Sequence, residues 1–318
     1  MACSGKHFFV SAQQLVLERV AGVAGVPSVN ELYEGLIERF VKWAETRDDI
    51  RAAIVIGSRA RVVEPADDWA DLDVIVVTSD PEHYVESADW LENIGTVLLT
   101  FIEPTASGGE LERRALFEGM LDVDFSIVPL AKAQRLLEAG MASAEVVNSF
   151  GRGMRVIVDK DEIAGKVKKL VASAAAVPAQ APSQGEFLQV VNDFLYHAVF
   201  TAKHLMRGEL WWAKMSSDCY MQHLLLRMIE WHAHAKRGWS YDTWFRGRFL
   251  EKWADPGVLR QMRDVFSHYD EADVRRGLLA AISLFRALAL ETAERLGYPY
   301  PEEADCKVTE WIRARFHQ

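Results

Sequence analysis

The chain has 318 residues, half of them hydrophobic and 26% charged, which allows one large or two ordinary domains and excludes an intrinsically disordered protein. A formal net charge of −10 speaks against general nucleic-acid binding, which needs clustered lysines and arginines, and suits a cationic small molecule or a metal-bearing site. Cys3, Cys219 and Cys306 are too scattered for a disulfide framework or a zinc site, so the expected compartment is reducing.

The first 27 residues read as an amphipathic extension that ends at Gly25-Val26-Pro27. Nothing in them pairs a basic segment with a sustained apolar run, and no window approaches the roughly 18 apolar residues of a membrane span. A cytoplasmic protein is expected. Ser28-Val29-Asn30-Glu31 can cap a helix whose apolar positions, Leu32, Leu36, Ile37, Phe40 and Trp43, follow three-and-four spacing. Strands are predicted over 52–56 and 74–77, each apolar on both faces, with the turn Gly57-Ser58 and two arginines, Arg59 and Arg61, after the first. A helix is expected across 79–95, a strand over 96–104, a turn and strand within 117–129 and a helix over 130–140. A short strand within 154–162 and a helix over 163–175 complete this part.

Residues 176–186, "AVPAQAPSQGE", have no periodic pattern and read as a linker. Beyond it the periodicity is almost wholly helical, and seven of the ten tryptophans lie there. The predicted organisation is therefore α+β: an extension over 1–27, a mixed-sheet domain with flanking helices over 28–177, a linker over 178–185 and an all-helical domain over 186–318.

The second strand is entered through Asp71 and Asp73, whose side chains should share one strand face about 7 Å apart at the backbone. Two such carboxylates at the edge of a core raise each other's pKa unless a cation lies between them. Mg²⁺, which takes oxygen ligands from one or two carboxylates plus substrate phosphates, is the economical answer. "LDVDFSIVP" repeats the device: Val123, Phe125 and Ile127 take one face, and Asp122, Asp124 and Ser126 the other. If the two strands are neighbours, Asp124 joins the pair and a phosphoryl-transfer site results. Gly57 and Ser58, with their backbone N–H groups and a hydroxyl, and the nearby Arg59 and Arg61 suit a polyphosphate.

The pattern "IGSRAR…DLDVIVV…VDFSIVP" resembles the polymerase-β-type nucleotidyltransferase superfamily. From about residue 30 to the end the chain looks like the aminoglycoside 6-adenylyltransferases, the streptomycin adenylyltransferases, and it does so most specifically in "NDFLYHAVFTAKHLMRGEL" and "AERLGYPYPEEADCKVTEWIR". The resemblance implies Mg²⁺-dependent transfer of AMP from ATP to a hydroxyl of streptomycin, with loss of pyrophosphate and resistance to the drug. It places Asp71 and Asp73 as the metal-binding pair, Asp124 as the third carboxylate that orients or deprotonates the attacking hydroxyl, and Gly57, Ser58 and Arg59 at the nucleotide phosphates. The sequence departs from the family in the first 27 residues and in "NDFLYH", where an Asn-Glu-Phe-Trp-Trp-like run is expected.

On the first helix of the second domain, Gln189, Asp193, His197, Phe200 and His204 recur on one face. That face is either a solvated surface or, at Asp193 and His197, part of the acceptor site, with Asp193 an alternative general base to Asp124. His232 and His234, two apart on a helix, face different directions and are not expected to share a metal. The oligomeric state is left open.

Overall fold

The computed structural model describes residues 27–105, 109–140, 144–174 and 179–316. The expected extension therefore lies almost wholly outside the described residues, and so does part of the linker. The chain divides into two compact units, Met1–Val177 and Pro178–Gln318.

The first unit opens with α1 (Val29–Glu45). Ser28 Oγ accepts from the Glu31 N–H at 3.3 Å, and a Glu31 carboxylate oxygen accepts from the Ser28 N–H at 2.6 Å. This reciprocal cap satisfies two of the orphan donors at the helix start. The buried stripe Tyr33, Leu36, Ile37, Phe40 and Ala44 then lays the helix on the sheet, where Phe40 stacks on Phe125 with ring centroids 5.7 Å apart.

Next come β1 (Ile50–Ile56), β2 (Leu72–Thr78), α2 (Pro81–Glu86), β3 (Val97–Pro104), β4 (Leu111–Phe117) and β5 (Leu121–Pro129). They are followed by α3 (Leu130–Ala139), α4 (Ala144–Phe150), β6 (Arg155–Asp159) and α5 (Ile163–Ser173). The six strands form one sheet in the order β3-β4-β5-β2-β1-β6. Every neighbouring pair is antiparallel except β2 and β5, which run parallel with Asp73 opposite Asp124. One face of the sheet packs on α1; the other carries Ala52, Ile54 and Val77 against Ala133 of α3 and Ile163 and Ala164 of α5.

Two expectations in this unit change. The helix across 79–95 is broken: α2 stops at Glu86, Ser87 is extended (φ −105°, ψ 149°), and a 3-10 turn follows over Asp89–Asn93. The Ser87 hydroxyl accepts from the Asp89 N–H at 3.2 Å, a local bond that competes with continuation of the helix. Strand β4 was not expected at all. Its sequence, "LERRALF", buries Glu112 and Arg113. Arg113 donates to the Tyr84 carbonyl at 2.9 Å and to the Val85 carbonyl, thereby tying the end of α2 to the sheet.

The second unit is helical: α6 (Gln184–Met206), α7 (Leu210–Met215), α8 (Gln222–Arg237), α9 (Leu250–Trp253), α10 (Pro256–Val265), α11 (Glu271–Leu296) and α12 (Glu302–Phe316). Ser183 and Glu186 cap α6 as Ser28 and Glu31 cap α1, and Phe194 of α6 stacks on Phe285 of α11 with centroids 3.8 Å apart. A π-helical turn, Ser216–Met221, joins α7 to α8. Among the described residues, no helix is long and apolar enough to cross a membrane.

Candidate active site

Asp73 is the second residue of β2, and Asp71 immediately precedes that strand. The parallel register brings Asp124 of β5 directly beside Asp73. The three side chains each direct one carboxylate oxygen to a common point, all within 4.8 Å of one another. Asp124 is the most enclosed of the three, at 8% exposure. Burial pushes its carboxyl up to about 6; Arg114 opposes that rise, and the charges of Glu112, Asp71 and Asp122 add to it. An excess of negative charge in a half-buried place is what a hard cation relieves.

The turn after β1 is fitted to the same place. Gly57 has φ +68°, and a Cβ at this position would stand 2.0 Å from Asp73 Oδ2. Only glycine allows both the left-handed backbone and the approach of that carboxylate. Ser58 is 5% exposed, and its hydroxyl has no hydrogen-bond partner. A buried hydroxyl left unmade costs on the order of 1–3 kcal/mol, so such an atom is expected to have a ligand. The carboxylate cluster, the glycine cradle and the orphaned hydroxyl together fit a metal-bound polyphosphate.

Arg59 stands beside these groups with its nitrogens already engaged. It donates to the Asp71 carbonyl at 3.0 Å, the Ala70 carbonyl at 2.7 Å and Asn30 Oδ1 at 2.9 Å, and its guanidinium lies 3.5 Å from the Tyr33 ring centroid. In this arrangement it fixes the main chain that carries Asp71. Tyr33 in turn donates to Asp122 at 2.8 Å, so Asp122 belongs to this support and not to the carboxylate cluster.

Sequence reasoning missed Arg114. It faces Asp124 across the antiparallel β4–β5 register and pairs with Asp124 at 3.3 Å, with Glu112 at 3.0 Å and with Glu103. The signal was the double arginine of "LERRALF", which reads as a surface charge run when β4 itself is not recognised.

In the helical unit, Asp193 and His197 meet on α6, with His197 Nδ1 2.8 Å from Asp193 Oδ1. Tyr220 donates to Asp193 Oδ2 at 2.9 Å, and the rings of His197 and Tyr220 lie 4.2 Å apart. The result is a partly exposed acidic and aromatic cluster beside the π-helical turn. His232 and His234 part company: His232 pairs with Glu291 at 2.8 Å, whereas His234 lies 3.3 Å from Thr243 Oγ1 and stacks on Trp239.

The streptomycin adenylyltransferase family model matches residues 31–315 of the chain. The aminoglycoside 6-adenylyltransferase of Bacillus subtilis (strain 168) is 24% identical over 285 residues, which cover 87% of this chain and 96% of that protein. The aminoglycoside 6-adenylyltransferase of Campylobacter jejuni is 22% identical over 280 residues, covering 86% and 91%. A crystal structure of an aminoglycoside 6-adenyltransferase from Bacillus subtilis, 19% identical, aligns over 92% of this chain and 100% of its own with a TM-score of 0.43.

Proposed function

The chain belongs to the streptomycin adenylyltransferase family and is a nucleotidyltransferase, and from that premise we propose that it transfers AMP from ATP to a hydroxyl of an aminoglycoside, streptomycin foremost. The observation that carries the reading is the meeting of Asp71, Asp73 and Asp124 within 4.8 Å beside a glycine-serine turn whose hydroxyl is unpartnered. An acceptor oxygen bonds to the α-phosphorus, the bond from that phosphorus to the bridging oxygen breaks, and pyrophosphate departs with the bonding electrons. The acceptor's proton passes to Asp124, the carboxylate seated deepest in the group.

Asp71, Asp73 and Asp124 are the residues that would hold Mg²⁺, which when bound offsets the charge of the phosphates. Gly57 leaves room for the Asp73 carboxylate to come up against the turn, and the Ser58 hydroxyl donates to a phosphate oxygen. Arg59 holds Asp71 in place through its main chain, and Arg114 keeps Asp124 neutralised before substrates arrive. On the helical unit, Asp193 with its His197 and Tyr220 partners offers a carboxylate and ring faces to a hydroxylated cation. ATP consumption agrees with a cytoplasmic location, and modification of the drug would confer resistance.

The test is mass spectrometry of streptomycin incubated with the protein, ATP and Mg²⁺. The expected product carries one added AMP, and Asp71→Asn and Asp73→Asn, folded by circular dichroism, should fail to make it. Undiminished transfer in either variant would sink the assignment.

A further inference from the structure

The loop between the Gly57-Ser58 turn and Asp71 is held at both ends. The Ala66 N–H donates to the Ser58 carbonyl at 2.9 Å, and Arg59 grips the Ala70 and Asp71 carbonyls. Inside it, the Asp67 side chain accepts from the Trp69 N–H at 3.0 Å and the Asp67 carbonyl accepts from the Ala70 N–H at 3.3 Å. This ordered loop nevertheless presents Trp69 to water at 93% exposure. Among the described residues its indole N–H has no hydrogen bond, and its ring stacks on nothing.

An indole is the largest apolar side chain and an amphipathic one, able to stack and to donate at the same time. One residue, Ala70, separates it from Asp71, so its backbone lies within about 7 Å of the Asp71 backbone. Asp67 and Asp68 immediately precede it and are themselves exposed. An aromatic face on a loop that also carries exposed carboxylates favours a cation over an anion, because ring quadrupole and formal charge act in the same sense.

Those observations choose between the two substrates of the proposed reaction. The adenine ring is separated from the reacting phosphorus by a ribose and gains nothing from neighbouring carboxylates. The acceptor must stand beside that phosphorus, and an aminoglycoside is a polyhydroxylated cation. We infer that Trp69 is an acceptor-binding residue, whose ring face stacks against a protonated part of the aminoglycoside while its N–H donates to a hydroxyl. The inference rests on the acceptor class proposed above.

Steady-state kinetics with streptomycin and ATP test it, using Trp69→Ala and Trp69→Phe. The side chain touches almost nothing, so both variants should melt with the unaltered protein. Loss of one such stacking contact corresponds to about a tenfold rise in KM for streptomycin in W69A, with KM for ATP and kcat kept within about twofold. W69F, which keeps a ring, should recover most of that loss. A rise in KM for ATP in place of that for streptomycin would assign the ring to the base and overturn the inference, as would an unchanged KM for streptomycin. If the unaltered protein transfers AMP to no aminoglycoside, the acceptor class and this inference fall together; if it is active and W69A matches it, this inference alone falls.

Discussion

Asp73 Oδ2 occupies the space in which any side chain on Gly57 would stand, 2.0 Å from the position of its Cβ. A turn from one strand and a carboxylate from the next are thus packed to the limit that a hydrogen atom allows. Gly57→Ala would also force a Cβ onto a backbone at φ +68°, at a cost of roughly 1–2 kcal/mol. The larger effect should be on chemistry, since a displacement of about 1 Å in a reacting group can reduce turnover about a hundredfold. Measured kcat in G57A close to that of the unaltered protein would contradict the close approach.

Ser58 should separate stability from function in the opposite way. Its hydroxyl is buried and unpartnered, so Ser58→Ala removes a desolvated polar atom and should leave the melting temperature unchanged or raised. The same substitution deletes a donor to nucleotide phosphate, and KM for ATP should rise about tenfold. A clear fall in melting temperature with KM for ATP intact would assign Ser58 to the scaffold.

Metal affinity should depend on pH through Asp124. Its carboxyl is pushed up to about 6, first by burial, so protons compete with a divalent cation over a higher range than at an ordinary aspartate. Above that value the carboxylate is ionised and affinity should level off. Below it, affinity should fall by about tenfold per pH unit for one displaced proton. Titration of the nucleotide-free protein with Mn²⁺ between pH 5 and 8, read by calorimetry, checks this; a flat profile would refute it.

Glu230 on α8 offers a second titration, remote in sequence from the carboxylate cluster. Burial pushes it up to about 7 from an ordinary value of 4.5, with Arg227 acting against the rise. The folded protein therefore holds a proton that the unfolded chain releases. The stability linked to this proton is complete below about pH 4.5 and is lost as pH rises through 7, with a slope of at most about 1.4 kcal/mol per pH unit. Glu230→Gln should gain on the unaltered protein across that window and hold its advantage above it. Urea denaturation at pH 5 and pH 8 that gave the same difference at both would refute the buried-acid reading.

The carboxylate cluster was legible because its acids stand at the mouth of one continuous apolar run and alternate with apolar residues in the other strand. Val74 and Val76 point to one core, Val123, Phe125 and Ile127 follow the same rule, and the acids stand out against them. The glycine-serine turn was legible by its place between two apolar runs. Strand β4 was not, because Glu112 and Arg113 are buried where alternation predicts apolar residues, and their ion pairs and carbonyl contacts exist only once the sheet has formed. Arg114 was lost with it. The break at Ser87 was hidden for a related reason: apolar positions recur at helical spacing through Trp90 and Leu91, and a single hydroxyl contact decides against continuation. At Arg59 the residue type suits phosphate, and the structure adds partners that the sequence does not display, two carbonyls and an asparagine.

Among the described residues, the one parallel pairing in the sheet joins Asp73 to Asp124, 51 positions apart along the chain (124 − 73). The β3–β4 hairpin lies between them in the chain, so their meeting is a long closure, which forms slowly compared with local turns. The three-carboxylate cluster is thus a feature that no contiguous fragment of the β1–β2 segment contains. It would emerge only when β5 has paired with β2, so ion uptake by the proposed site during refolding would time that pairing.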